Sequence, residues 1–344
     1  MAHETPILVE VTRGGMVESH HRGSIVVVDS RGNVKLALGD VERLIYPRSA
    51  IKPIQSALVM AESGAAQAFD VSDEELALAC ASHDGETVHV VAVREWLLRL
   101  GLSVTDLECG THDPYDVDAM HDLYRAQGSA GPEHNNCSGK HTGLLTICRH
   151  KDVAPTGYLD IDHPAQAEVC ATKAAMCDVD LANANIAIDG CGVPTIAMPL
   201  HALALGMARL ADPSGLSDAR ADACRAVVRA IADHPVMVAG TKRFCTALLR
   251  AGRGRFVSKT GAEGVYCAAW PEHGLGVAIK IDDGDAEGRA RAITIAHVLR
   301  QLGALDDQGW QTLKGLGQST LRNWAGTGVG ALRPTEALSE LGLS

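Results

Sequence analysis

Aromatic residues are scarce in this 344-residue sequence, at 3%. With so few of them, the core must be filled mainly by Ala, Val, Leu and Ile. Hydrophobic residues at 46% and charged residues at 21% are otherwise usual for a globular protein. The length is enough for one large domain or two interleaved domains.

The sequence also lacks a net positive charge and any apolar run long enough to span a membrane. Its formal net charge of −11 disfavours nucleic acid and anionic membranes as partners. Even IAMPLHALALGMARL is interrupted by Pro199 and His201. The first residues, MAHETPILVEVTRGG, contain Glu4 and Glu10 and lack the basic segment and apolar core of a signal peptide. We therefore expect a cytoplasmic protein that contacts neither nucleic acid nor membrane.

Ten cysteines are present without a secretion signal. Reduced thiols, with a metal site as an option, are expected rather than a disulfide framework. Cys80, Cys148 and Cys267 lie in apolar stretches, where a free cysteine packs as a small hydrophobic residue. We interpret these three as structural.

Strand-like patterns occur near both ends of the sequence. Near the start are PILVEVTRG, GSIVVVDS and NVKLALGD, with SRGN as the turn between the last two. Near the end are RFVSKTGAEG, VYCAAW and GLGVAIKI, with PEHG as the turn between the last two. Between these groups, helical spacing begins at AIKPIQSALVMAES and is interrupted by one short strand and glycine turn, ANIAIDGCGVPT.

Strands at both ends around a helical middle predict an α+β fold with a central antiparallel sheet between helices. The sheet-containing domain is expected to combine residues 1–71 and 256–344, with a mainly helical region, 72–255, inserted between them. A further helix is expected at 285–303. GTGVG at 326–330 lacks the flanking strand and helix of a dinucleotide-binding loop, so we expect an ordinary loop there.

Ser49 and Lys52 form an S-x-x-K motif at the start of the first predicted helix. This spacing places a hydroxyl and an amine on one helix face, as a serine nucleophile with a lysine base requires. Late in the chain, Lys259-Thr260-Gly261 follows a strand-like run, the position of K-T-G in serine β-lactamases and penicillin-binding proteins. The two motifs together predict a Ser-Lys hydrolase.

The third motif of those enzymes, S-D-N, is missing. Its nearest substitute is Ser82-His83-Asp84, where an apolar helix leads into a loop and Ser82 could pair with Lys259. The alternative is that the Ser82 hydroxyl only satisfies backbone groups at the helix end.

HNNCSGKH, residues 134–141, places a thiol three residues before a lysine at a predicted helix start. Cys137 and Lys140, together with Cys191 in the turn DGCGVPT, could supply three metal ligands, with water as the fourth. Lysine becomes a possible ligand because a helix N-terminus and a nearby dication disfavour its ammonium form. Ligation by His134 and His141, and a metal-free thiol site, remain alternatives. Four other residues also look metal-binding, namely Asp113, Asp116, Asp118 and His121, but DPYDVD is expected to be a solvated turn.

Five separated motifs resemble, in order and spacing, the asparaginase II family, the rhizobial-type class of L-asparaginases: YPRSAIK, CASHDGE, NNCSGKH, DGCGVPT and SKTGAEG. The resemblance covers nearly the whole chain, from PILVEVTRG to GLGVAIKIDDGD. It implies a fold similar to serine β-lactamases and glutaminases, a homodimer, and hydrolysis of L-asparagine to aspartate and ammonia.

Position by position, the resemblance also implies roles for individual residues. The nucleophile would be Ser49 with Lys52 as its partner, and the second pair Ser82 and Lys259. The zinc ligands would be Cys137, Lys140 and Cys191, and the substrate contacts Arg48, His141 and Asp189. DGCGVPT and SKTGAEG depart slightly from the family's pattern at residues next to the proposed metal ligand Cys191 and next to Lys259. The metal affinity and the preference among secondary substrates therefore remain open.

The mechanism that fits both lines of argument begins with neutral Lys52 taking the Ser49 proton. The alkoxide attacks the side-chain amide of asparagine, Ser82 and Lys259 deliver a proton to the departing ammonia, and water releases aspartate. Two thiolates would offset the zinc charge, so we expect the metal to position the substrate, with a zinc hydroxide nucleophile as the lesser option.

Two other functions remain open from the sequence. A serine β-lactamase or peptidoglycan peptidase would share both Ser-Lys motifs, but such enzymes act outside the cytoplasm. A non-enzymatic zinc-binding scaffold would use its serines only as helix caps, and it would bind metal without releasing ammonia.

Overall fold

The structure is a computed structural model that describes residues 5–317 and 320–342. The described strands are β1 (Ile7–Arg13), β2 (Met16–Asp29), β3 (Val34–Leu38), β4 (Leu44–Ile45), β5 (Ile186–Ile188), β6 (Pro194–Ile196), β7 (Met198–Pro199), β8 (Val257–Thr260), β9 (Val265–Trp270), β10 (Leu275–Ile281), β11 (Thr320–Arg322) and β12 (Gly328–Pro334).

The described α-helices are α1 (Ser56–Ser63), α2 (Ala65–Ala68), α3 (Asp73–Ala79), α4 (Thr87–Arg99), α5 (Val117–Arg125), α6 (Ser138–His150), α7 (Pro164–Cys177), α8 (Leu200–Ala211), α9 (Asp218–Asp233), α10 (Pro235–Val238), α11 (Phe244–Gly252), α12 (Arg289–Gln301), α13 (Asp307–Gly317) and α14 (Glu336–Ser339). Short 3-10 helices lie at Arg48–Ile54, Val104–Asp106, Pro132–His134 and Pro271–His273. No helix within the described residues is long and apolar enough to span a membrane.

The chain forms two compact units. The first combines Met1–Ala50, Met198–Asp212 and Ala247–Ser344, and the second combines Ile51–Ala197 and Pro213–Thr246. The sequence placed the domain boundaries instead at 71/72 and 255/256, and it did not separate 198–212 from the helical region. That segment groups with the first unit because α8 packs against β2, β9 and β10.

The first unit is built on an antiparallel sheet with strand order β11-β12-β1-β2-β10-β9-β8, and β3 also pairs with β2. Val27 of β2 lies opposite Val277 of β10. Successive side chains of a strand face opposite sides of a sheet. Every residue of β10 from Gly276 to Ile281 is buried, so both sides of this strand are covered. The predicted α+β class with a central antiparallel sheet is confirmed.

Two local predictions differ from the structure. The predicted first helix is divided into the 3-10 helix Arg48–Ile54 and α1, because Pro53 has no N–H to donate and its ring disfavours a continuous α-helix. The expected loop at 326–330 is wrong in its second half, since Gly328–Pro334 is a strand paired with β1. A side chain at Gly330 would clash with the Thr12 carbonyl oxygen, so glycine permits this pairing.

The second unit is mainly helical, with α6 at its centre. Residues Ser138 to Cys148 of α6 are all buried, and α6 packs against α1, α3, α4 and α7. A side chain at Gly139 would clash with the Leu78 carbonyl oxygen, so this glycine lets α6 approach the end of α3 closely. The N-terminal residues of α6 are thereby fixed beside the loop that follows α3.

Candidate active site

The turn before α6 is held by backbone and side-chain hydrogen bonds. Asn135 Oδ1 accepts from the Cys137 N–H at 2.9 Å, and the Asn135 Nδ2 donates to the Cys109 carbonyl oxygen at 2.9 Å. His112 Nε2 accepts from the Asn136 N–H at 2.9 Å. These contacts fix Cys137 at the start of a helix on which Lys140 and His141 follow within one turn.

The loop after α3 carries Ser82 to this turn. The Ser72–Glu75 capping box fixes the start of α3, and the chain leaves the helix at Cys80. The His83 N–H donates to the Asn136 carbonyl oxygen at 3.1 Å, and His83 Nε2 lies 2.8 Å from Ser138 Oγ. Ser82 therefore lies in a loop that is hydrogen-bonded directly to the Cys137 turn.

Lys52 connects the two loops. Its side chain is buried, with 1% of the residue exposed. Its Nζ donates to the Ala81 carbonyl oxygen, to Ser82 Oγ at 3.0 Å and to Cys137 Sγ at 3.1 Å. Three acceptors match the three hydrogens of an ammonium group. The second unit thus brings three of the predicted site residues into direct contact.

Cys191 is presented by the turn between β5 and β6. The Asp189 N–H donates to the Val193 carbonyl oxygen at 2.9 Å, and Gly192 adopts a left-handed conformation with φ 87° that favours glycine. Cys191 Sγ accepts from Lys140 Nζ at 2.9 Å. This contact joins the hairpin turn to the start of α6.

The two thiols and Lys140 form one charge-coupled group. A hydrogen bond from the Cys137 thiol and the charge of Lys140 hold the pKa of Cys191 far below its ordinary value. Donation to Cys191, together with burial, raises the pKa of Cys137 far above its ordinary value. Burial alone would lower the pKa of Lys140, but the neighbouring thiolate charge raises it overall. Without a metal ion, the lowered pKa of Cys191 and the raised pKa of Lys140 favour a thiolate paired with an ammonium group.

His141 is buried beside this group. Tyr158 accepts a hydrogen bond from the Glu108 N–H at 2.9 Å, which leaves its hydroxyl hydrogen to donate to His141 Nδ1 at 2.7 Å. A neutral His141 then carries its own hydrogen on Nε2. Burial, and next the charge of Lys140, lower the pKa of His141 to about 4, so the ring is neutral.

The donor set fits a zinc ion in type. Two thiols and an amine converge within hydrogen-bonding distance, and thiolate and nitrogen ligands on a tetrahedral zinc lie roughly 3.5 Å apart. Within the described residues, no three side chains of His, Cys, Asp and Glu are placed to hold a metal, so a zinc site here needs Lys140. His134 instead accepts a hydrogen bond from the Gly131 N–H at 3.0 Å.

Asp189 and the acidic turn residues are also placed by the structure. Asp189 is half-buried and its charge raises the pKa of Lys140, so it belongs to the same group. Asp116 and Asp118 pair with Lys242 at 2.7 and 2.5 Å, and Asp113 accepts from the Tyr124 hydroxyl at 2.6 Å. These three aspartates are therefore engaged in ion pairs or hydrogen bonds with other side chains.

Arg48 and Ser49 are described in the first unit. Arg48 has a φ of 51°, a left-handed conformation that is strained for a residue with a side chain. Ser49 follows it on the 3-10 helix Arg48–Ile54, which also carries Lys52. The nucleophile predicted from the sequence therefore stands next to a strained residue.

Lys259 lies at the end of β8, also in the first unit. It is 1% exposed, and its Nζ donates to the Thr260 carbonyl oxygen at 2.8 Å. A Cβ at Gly261 would lie 2.8 Å from the Pro47 carbonyl oxygen and 3.0 Å from the Ala50 nitrogen. The end of the K-T-G motif therefore packs against the segment that contains Ser49.

The sequence did not identify Tyr158, His112 or the contact between Lys52 and Ser82. Tyr158 and His112 stand in no motif, and they act through contacts with residues 17 and 24 positions away. Lys52 and Ser82 are 30 positions apart. No periodic pattern links residues at such separations.

Comparison with solved structures found weak likenesses. A β-lactamase from Mycobacterium bovis is 16% identical, with 81% of this chain and 94% of that chain covered and a TM-score of 0.41. A β-lactamase from Sphaerobacter thermophilus is 15% identical, with 86% and 92% covered and a TM-score of 0.38. The protein Mglu is 14% identical, with 83% and 68% covered and a TM-score of 0.37.

The family comparison gives a stronger result. A search of curated proteins found no match. The family model described as L-asparaginase II matches residues 9–334, nearly the whole chain. This range contains every residue of the group around Lys52, Cys137 and Cys191, and also Ser49 and Lys259. The chain belongs to the asparaginase II family and is an asparaginase-type hydrolase that acts on the amide of a small molecule.

Proposed function

We propose that this protein hydrolyses the side-chain amide of L-asparagine to L-aspartate and ammonia through an acyl-enzyme on Ser49. The observation that carries the proposal is the buried Lys52 Nζ, which lies 3.0 Å from the Ser82 hydroxyl and shares the Arg48–Ile54 helix with Ser49. A lysine in this position can serve as the proton acceptor of a Ser-Lys hydrolase once it has lost one hydrogen.

In the proposed reaction, Lys52 accepts the Ser49 proton while Ser49 Oγ bonds to the amide carbonyl carbon. Collapse of the tetrahedral intermediate breaks the C–N bond, and the nitrogen leaves as ammonia after receiving a proton, a step that we assign to Ser82 and Lys259. Water then attacks the ester, which releases aspartate and restores the Ser49 hydroxyl. Arg48, His141 and Asp189 are proposed to contact the substrate.

We also propose that Cys137, Lys140 and Cys191 hold a zinc ion. Support comes from the convergence of these buried donors and from the Cys191 thiolate, the form in which cysteine binds metal. When bound, zinc would supply positive charge that orients the substrate. Lys140 would then have to lose one proton from its ammonium group. Zinc affinity would therefore depend on the charge interaction between Lys140 and the Cys191 thiolate.

The test is ammonia release from L-asparagine, L-glutamine and D-asparagine, measured side by side on the same preparation. L-Asparagine should be the preferred substrate. A chromogenic β-lactam on the same preparation separates an asparaginase from a β-lactamase. Ammonia release from none of the three amides would refute the proposal, and metal content without turnover would favour a zinc-binding scaffold.

A further inference from the structure

A cavity of about 260 Å³ lies in the second unit between α4 and α5. None of its lining residues has a role in the proposed reaction. Apolar side chains form much of its wall: Val90, Val91, Pro114, Ala119 and Leu123. A dry cavity of about 150 Å³ already admits benzene, so this one can hold a molecule of roughly ten non-hydrogen atoms.

His134 supplies a hydrogen-bond donor at the buried end of this cavity. The residue lines the cavity and is 5% exposed. Its Nδ1 accepts from the Gly131 N–H at 3.0 Å, so the hydrogen of the neutral ring is on Nε2. Within residues 5–317 and 320–342, Nε2 makes no hydrogen bond. This N–H is therefore available to a ligand or to water in the cavity.

Arg94 adds a second donor beside His134. Its Nη2 donates to Glu133 Oε1 at 2.5 Å, and the same oxygen lies 3.8 Å from His134 Nδ1. The guanidinium and the imidazole are therefore neighbours. Asp122 is the acidic residue of the lining, but it is exposed and pairs with Arg125 at 2.8 Å. Arg94 is exposed, with 53% of its side chain accessible, and its partner Glu133 is buried but does not line the cavity. The donors of the lining are therefore the buried His134 and the exposed Arg94, and the carboxylate of the lining stands at the exposed rim.

We propose that this cavity binds a small carboxylate with an apolar body. The carboxylate accepts hydrogen bonds from Arg94 and His134, because both residues line the cavity and their N–H groups can each donate to one of its oxygens. The body of the ligand packs against Val90, Val91 and Leu123. An amine would place its charge against the guanidinium, and a purely apolar molecule would leave both donors without an acceptor.

Isothermal titration of the full chain with phenylacetate tests the site, because this probe has a carboxylate, an apolar ring and ten non-hydrogen atoms. One saturable site per chain is expected. Phenylacetamide has nearly the same shape without the charge, and it should bind at least tenfold more weakly. Absence of saturable phenylacetate binding, or equal binding of both probes, would overturn the proposal.

Substitutions locate the binding. Arg94→Met should weaken phenylacetate binding at least tenfold, and Val91→Phe should do the same by filling the cavity without changing a charge. Arg99→Met is the matched control, since Arg99 is on the same helix and pairs with the buried Glu75 at 2.6 Å but does not line the cavity. Affinity in Arg94→Met or Val91→Phe equal to that in Arg99→Met would place the ligand elsewhere and contradict the proposal.

Discussion

Two serines, Ser49 and Ser82, are candidates for the nucleophile that gives its proton to Lys52. Its Nζ contacts the Ser82 hydroxyl directly, whereas Ser49 is linked to it by the S-x-x-K motif on one short helix. Either hydroxyl could lose its proton to this amine. The family resemblance assigns the nucleophile to Ser49, so substitution of each serine separates the two assignments.

Ser49→Ala should lower kcat for L-asparagine by about three powers of ten or more, because removal of a nucleophile leaves only binding and polarisation. Steady-state ammonia release measures the change. Ser56→Ala is the control, since Ser56 Oγ is buried without a hydrogen-bond partner in the described part of the chain and its loss should be nearly neutral. Near-native turnover in Ser49→Ala would transfer the role to Ser82.

Zinc content should be close to one equivalent per chain, and it should fall sharply in Cys137→Ser and Cys191→Ser. Elemental analysis of protein purified without a metal-affinity tag gives the measurement. Cys148→Ala is the matched control, because Cys148 is buried on the same helix α6, where burial raises its pKa to about 11 and disfavours a thiolate. Metal-free native protein, or equal zinc in all variants, would exclude the site.

At the scale of elements, the close packing of α6 on α3 fixes the position of Cys137 relative to Ser82. Gly139→Ala would force the Leu78 carbonyl oxygen away, so we expect a loss of at least about 2 kcal/mol in the free energy of unfolding. Gly215→Ala is the control, since its Cβ would meet nothing within 4 Å. Denaturant unfolding measures the free energy of unfolding of the two variants. Equal values would show that α6 can shift to accommodate the added methyl group, against this expectation.

The pairing of α12 with α13 has a pH-dependent component. His297 of α12 lies with its ring 4.9 Å from that of Trp310, and burial lowers its pKa to about 4. An unfolded histidine titrates near 6.5, so below that pH the unfolded chain binds a proton that the folded chain does not. The contribution of His297 to the free energy of unfolding is therefore fully present above pH 6.5, and it declines as the pH falls towards 4.

His297→Phe should flatten this decline. The wild type should lose up to about 2 kcal/mol more than the variant between pH 7.5 and pH 5. The comparison of the two denaturation curves matters, since other buried histidines such as His83 also have a lowered pKa through burial and contribute equally to both proteins. Parallel pH dependence in the two proteins would mean that His297 does not titrate differently on unfolding.

The elements were predictable where their patterns are local. The β2–β3 hairpin at SRGN and the β9–β10 hairpin at PEHG follow from alternating strands around turn residues. Strand β12 was missed because its glycines have low strand propensity, and only the nearby Thr12 backbone explains Gly330. The set of Cys137, Lys140 and Cys191 was proposed from turn thiols near a charged group, and the resemblance then assigned it to zinc. Its charge state depends on contacts that the sequence does not display.

At the scale of the whole molecule, we expect a homodimer, as the family resemblance implies. Large apolar side chains such as Met16 and Trp324 are exposed on the first unit and could contribute to an interface. Light scattering coupled to size-exclusion chromatography should give twice the chain mass of 36.2 kDa. A mass of one chain at micromolar concentration would contradict this expectation.

The pairing of β1 with β12 also has a consequence for biosynthesis. Val9 lies opposite Pro334, so β1 leaves the ribosome more than 300 residues before its partner strand. At about 5–20 residues per second, this delay lasts roughly 15 to 65 s. During that time the apolar strand ILVEV has one edge unpaired, and such edges promote aggregation. Nascent chains of this protein should therefore depend on a chaperone until translation reaches β12.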